Sequence, residues 1–120
     1  MTDSGNLLAG LPEDDSGEVF ETLFRGRGVR VERIVSTGQA SPEGFWYEQS
    51  WDEWVMVVQG RARLQCEGGP ECDLRPGDWI SLPAGRRHRV VWTQAEPPTV
   101  WLAVHGGEPT EEGVAGPGGC

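Results

Sequence analysis

Apolar and polar positions alternate with a period of two through most of the chain, and this alternation predicts its elements. Ala62, Leu64 and Cys66 alternate with Arg61, Arg63 and Gln65, the pattern of a half-buried strand with its arginines in solvent. Just before it, Trp54, Met56 and Val58 fall on one face and Val55 and Val57 on the other, so that strand is apolar on both sides. Residues 29–36, 72–75, 79–82, 88–92 and 99–105 read as further strands, and 18–24 and 45–49 bring the total to eight or nine. Turn signals separate them: Gln59-Gly60, Gly68-Gly69-Pro70, Pro76-Gly77-Asp78, Pro83-Ala84-Gly85 and Pro97-Pro98. No helical periodicity interrupts the series. The predicted class is all-β, an antiparallel sandwich or barrel.

The two ends differ from this pattern. Residues 1–17 are polar and turn-rich, with an acidic knot at Glu13, Asp14 and Asp15, and read as a flexible N-terminal arm. Leu7, Leu8 and Leu11 offer it one short apolar anchor. Residues 106–120 are glycine-rich and too poor in apolar groups to offset their ordering entropy, so a disordered tail is expected there. The folded domain is then 18–105.

Composition narrows the chemistry. A chain of 120 residues suits one domain with a modest core. Its formal charge of −9 argues against nucleic acid or an anionic membrane as partner, since both need a basic face. All ten basic residues are arginine, which excludes a Schiff-base lysine, a lysine general base and a GxxxxGK[ST] phosphate loop. His88 and His105 are the only histidines, so one chain cannot build a three-histidine site. Cys66, Cys72 and Cys120 are too few for a four-thiolate zinc site. The N-terminus has no basic, apolar signal segment and no stretch approaches the roughly 18 apolar residues of a membrane span, so a cytoplasmic protein is expected. In that compartment Cys66 and Cys72, which flank a turn, are expected as thiols; a disulfide would need them closely opposed.

The most informative stretch is GDWISLPAGRRH at 77–88, a strand closed by a Pro-x-Gly turn that returns the chain to His88. It resembles the second motif of the cupins, G(X)5PXG(X)2H(X)3N. Gly77, Pro83, Gly85 and His88 fall at its spacing, with Trp92 at the final Asn position. The first cupin motif, G(X)5HXH(X)3-4E(X)6G, is matched in its second half by Glu53 and Gly60. Tyr47 and Gln49 stand at its two histidine positions and Ser41 at its opening glycine. The resemblance covers about 45–92 and, through the strand pattern, most of the ordered domain. It is to a small single-domain cupin with a degenerate first metal-binding motif. It implies an antiparallel double-stranded β-helix, a jelly-roll barrel of the RmlC-like kind, with a homodimer as the expected assembly. It also implies a divalent metal, since the family binds iron, manganese, nickel, copper or zinc at the equivalent positions.

The residues support a site independently of the name. Tyr47, Gln49 and Glu53 lie at even intervals, so on extended chain they share one face with Val55 and Val57: a polar cluster above an apolar wall. Glu53 would supply charge to a divalent metal, His88 a nitrogen and Gln49 a neutral oxygen. Tyr47 is the catalytic candidate, as a weak fourth ligand or a proton donor to substrate. With two imidazoles replaced, an oxygen-rich site suits Mn²⁺ or Fe²⁺ more than Cu²⁺, with Ni²⁺ and Zn²⁺ also to be tested, or binds nothing tightly. The alternative is a hydrogen-bonded polar core without metal. Trp46, Val55, Arg86 and Trp92 are the candidate ligand-pocket residues, Arg86 as a partner for a substrate carboxylate at the barrel mouth. Trp54 has the opposite parity to Glu53 and is expected to face a second layer or a partner subunit. His105, beside the glycine-rich tail, is expected to be structural or solvent-facing.

Three functional readings follow. One is a metal-dependent enzyme of dioxygenase, isomerase or lyase type acting on a small organic substrate. Another is a non-catalytic, metal-free domain that binds or senses a small molecule. The third is a structural dimer module whose polar core is a remnant. None calls for an organic cofactor, and the expected partners are a small-molecule ligand and a second copy of the chain.

Overall fold

Strands of alternating depth build two facing sheets in the computed structural model, which describes residues 3–12 and 17–107. In chain order the strands are β1 (Val19–Gly26), β2 (Val29–Ser36), β3 (Asp52–Gln59), β4 (Ala62–Cys66), β5 (Glu71–Leu74), β6 (Trp79–Leu82), β7 (His88–Thr93) and β8 (Thr99–Gly106). One sheet has the order β1-β2-β8-β3-β6 and the other β5-β4-β7, with every neighbouring pair antiparallel. Sequence-distant strands lie side by side, as a double-stranded β-helix requires. No helix occurs among the described residues. The glycine-rich tail expected at 106–120 lies, beyond Gly107, outside them.

The core fills the space between the sheets. Val55 and Val57 of β3 and Trp101 and Ala103 of β8 point inward and are buried. They meet Ala62, Leu64 and Cys66 of β4, with Leu74, Ile80 and Leu82 closing the edges. On the opposite face of the larger sheet the Trp54 ring packs 5.9 Å from Trp79, which is 59% exposed. That outward direction is the one the parity of β3 predicts. Elsewhere on this face Arg33 of β2 holds residues 7–10 against the sheet. Its guanidinium donates to the Leu7 and Ala9 carbonyls at 3.1 and 2.7 Å and pairs with Glu21 at 2.8 Å.

Several local expectations are corrected. Residues 45–49 form no strand: Tyr47 makes an isolated bridge, its N–H donating to the His88 carbonyl at 2.7 Å and its carbonyl accepting at 3.0 Å. A turn from Pro42 to Phe45 precedes this contact, and the Gln49 carbonyl accepts from the Gly85 N–H at 2.7 Å. Too little extended backbone remains for a ladder. The expectation for the cysteines holds: in β4–β5 Leu64 faces Cys72, so Cys66 and Cys72 are not an opposed pair and no disulfide joins them. In β4–β7, Arg63 pairs with Trp92 but Leu64 with Val90, leaving Val91 as a bulge. A bulge reverses the alternation beyond it. Trp92 therefore turns outward, 42% exposed and near Arg63, while Thr93 is buried. Trp92 is not a pocket residue.

Candidate functional site

The ladder register gathers polar side chains at one end of the barrel. His105 of β8 lies opposite Arg30 of β2 on one side and Glu53 of β3 on the other. Glu32 sits two residues from Arg30, so it shares that inner face. Together they border a cavity of about 270 Å³ between the two sheets. Tyr47, Gln49, Glu53, His88 and Val55, all expected at the site, line it. Ile34, Leu64, Leu82 and Val90 supply apolar wall, and Phe20 and Trp101 aromatic wall.

Two further expectations fail. Trp46, next to the inward Tyr47, packs outside with the Arg87 and Arg89 guanidinium groups about 6 Å from its ring. Arg86 serves through its backbone: its carbonyl accepts from His88 Nδ1 at 3.0 Å, and its guanidinium does not line the cavity. Glu18, Arg30, Glu32, Trp101 and His105 line the cavity without having been expected there. Of the two alternatives for His105, structural or solvent-facing, its 3% exposure excludes the second, and its even spacing from Trp101 is the signal for that burial.

Hydrogen bonding fixes what each ring can do. A carbonyl only accepts, so His88 carries its proton on Nδ1 and turns the Nε2 lone pair toward the cavity. Burial lowers the His88 pKa against the opposing pull of that hydrogen bond, so the ring is neutral. It stacks on Tyr47 at a centroid distance of 5.6 Å. His105 has the reverse tautomer. The Trp51 indole N–H donates to its Nδ1 at 2.9 Å, so Nε2 carries the proton and donates to Glu32 at 3.1 Å.

Glu53 stands between the two rings. Its Oε1 is 3.9 Å from His88 Nε2 and its Oε2 3.9 Å from His105 Nε2, both beyond hydrogen-bond distance. The side chain is only 9% exposed. Desolvation, reinforced by the charge of Glu32 and opposed by Arg30, raises its pKa to about 7. Tyr47 is also raised, by burial and then by Glu18 and Glu53, against a hydrogen bond with Ser41. It is a neutral phenol. Glu18 is engaged separately: the Trp101 indole donates to Ser36 Oγ at 3.1 Å, which donates to Glu18 at 2.7 Å.

This donor set fits a divalent metal poorly. His88 Nε2 and Glu53 are adequate ligands, but Gln49 is uncharged and Tyr47 holds its proton. His105, which would complete a two-histidine, one-carboxylate set, has no lone pair on Nε2 while Trp51 donates to Nδ1. Among the described residues no group of three or more His, Cys, Asp or Glu is arranged to hold a metal ion.

The Cupin domain family model matches residues 32–105. A crystal structure of a Ralstonia eutropha protein, provisionally assigned as a mannose-6-phosphate isomerase, is 52% identical over 88% of this chain and 98% of its own, with a TM-score of 0.85. A cupin superfamily protein of Desulfitobacterium hafniense superposes with a TM-score of 0.71 over 88% of this chain and 93% of its own, at 17% identity. An RmlC-like cupin of double-stranded β-helix fold from Methanocaldococcus jannaschii gives 0.66 over 87% and 93%, at 15% identity. At those identities the last two speak for the fold alone. No curated protein matches the chain.

Proposed function

The chain belongs to the cupin family, and on that premise we propose that its barrel cavity binds a small organic molecule without a resident metal. One observation carries this reading. Glu53 and the Nε2 face of His88 are nine-tenths buried, line the cavity, and have each other only at 3.9 Å. Buried polar atoms need partners, and a ligand entering the cavity supplies them. Neither family position at Tyr47 or Gln49 adds the imidazoles that a tight metal site would use.

The test is metal content together with ligand response. Protein purified without added metal is expected to hold substoichiometric manganese, iron, nickel and zinc, and chelator treatment should leave its melting temperature unchanged. A ligand of the right class should then raise that temperature. Stoichiometric metal, lost in both Glu53→Ala and His88→Ala, overturns the reading and restores the metal-dependent one.

A second reading, proton transfer of isomerase type on a small carbonyl compound, is favoured by the Glu53 carboxyl near 7, which keeps acid and base forms both populated at neutral pH. The provisional assignment of the Ralstonia relative runs the same way. Incubating aldoses and ketoses with metal-free protein in heavy water would then exchange the hydrogen next to the carbonyl, followed by NMR. Glu53→Gln should slow that exchange by about 10²–10⁴-fold. Exchange that is absent, or that survives the substitution, removes this reading.

A further inference from the structure

The charge on the cavity wall is one-sided. Glu18, Glu32 and Glu53 line it, against Arg30 as the sole guanidinium among the described lining residues. Two of the three carboxylates are engaged within the protein: Glu18 accepts from Ser36 and Glu32 from His105. Glu53 is the one left facing the cavity at 3.9 Å from each imidazole. Beside it His88 Nε2, whose ring proton is committed to the Arg86 carbonyl, is a second acceptor aimed into the same space.

Resting on the reading that the cavity binds a small molecule, we infer that its ligand is a small primary amine, bound as the ammonium ion with its nitrogen between Glu53 and His88 and its hydrocarbon part against the apolar wall. The donor count selects the amine. Glu53 Oε1, which a cation beside it would hold ionised, and His88 Nε2 are then both acceptors, and one atom that serves both must carry at least two hydrogens. An ammonium group carries three, and the amide oxygen of Gln49 on the same wall can take the third. A hydroxyl carries one and leaves an acceptor unmet. Charge selects in the same sense, because a cation relieves the excess of carboxylates while a phosphate would add to it. Val55, Leu64 and Val90 suit a hydrocarbon body, and Tyr47 and Trp101 add aromatic wall to it. The volume is that of roughly nine waters, so the ligand has on the order of ten non-hydrogen atoms. A sugar phosphate, the substrate named in the provisional assignment of the Ralstonia relative, fits this wall badly.

Titration calorimetry on the metal-free protein compares cyclohexylamine and n-butylamine with cyclohexanol and 1-butanol, and with mannose 6-phosphate and inorganic phosphate. Each amine is expected to bind about tenfold or more tightly than its matched alcohol. Glu53→Gln should erase that difference, while Trp79→Ala on the outer face should preserve it. The anions should give no heat of binding. Alcohols that bind as tightly as the amines, anions that bind more tightly, or an amine preference that survives Glu53→Gln overturn the amine assignment and leave the binding cavity standing. Failure of every probe overturns both.

Discussion

Replacing Glu53 with glutamine is expected to make the protein more stable above neutral pH and to change little below about pH 4.5. Most removals of a buried polar group destabilise; the sign is reversed here because the group is a carboxyl that the fold holds at a raised pKa. Between the ordinary value of 4.5 and the folded value of about 7, the folded protein keeps a proton that the unfolded chain has released. Stability therefore falls as pH rises through that window, and the loss is complete above it. A rise of this size corresponds to about 3 kcal/mol. Glutamine has nearly the same shape and never ionises, so it removes the cost. His88 acts in the other direction: its lowered pKa means that the unfolded chain takes up a proton below 6.5 which the folded protein refuses, and stability drops toward acid. Subtracting the two proteins' urea unfolding free energies at each pH cancels that contribution. A gap that opens between pH 4.5 and 7 and reaches about 3 kcal/mol near pH 8 supports the buried, unpartnered carboxyl. Equal stability near pH 8, or a less stable variant, shows that Glu53 is solvated or paired in solution.

The parts of the site that local rules govern were legible in the sequence. Alternation along one strand needs no knowledge of its neighbours, so it puts Glu53 and Val55 on one face and Trp54 on the other, as observed. The spacing of Gly77, Pro83, Gly85 and His88 describes one turn, and it delivered His88 to the cavity. The errors lie where register or a bulge decides. His88, Val90 and Trp92 have the same parity, and only the bulge at Val91 sends Trp92 outward. Arg30 and Glu32 join the site through pairing between β2 and β8, strands separated by more than sixty residues, which no local window contains. His105, expected to be structural or solvent-facing, is buried and held by Trp51 and Glu32, because it continues the inward parity of Trp101 and Ala103 on its own strand. Arg86 shows a further limit. Its type suggested a charged partner for a ligand, whereas its backbone carbonyl fixes the His88 tautomer.

The two glycines that the family motifs place at Gly60 and Gly77 are expected to fail differently when each becomes alanine. Both have backbone angles in the left-handed region, with φ of 84° and 93°, where a side chain costs about 1–2 kcal/mol. Gly77 has open space where a Cβ would go, so that strain is the whole expected cost. Gly60 is where the chain leaves β3 of one sheet for β4 of the other, and there a Cβ would lie 2.8 Å from both the Cα and the Oγ1 of Thr99. The Cα belongs to backbone that cannot swing aside. Thr99 is fully buried, and its hydroxyl lies 3.1 and 2.8 Å from the carbonyls of Arg61 and Gln94, with its one hydrogen to share between them. It also opens β8, the strand that carries Trp101 and His105 into the cavity. Gly60→Ala should therefore add an overpacking cost of about 1–3 kcal/mol to the strain, for a total of roughly 2–5 kcal/mol. For a domain of this size that lowers the melting temperature by roughly 10–25 °C, against about 5–10 °C for Gly77→Ala. Urea unfolding of both variants, with unchanged slopes, separates strain from steric conflict. Equal losses would mean that β8 yields to the added methyl, and that the crossover between sheets needs glycine for its backbone angle alone.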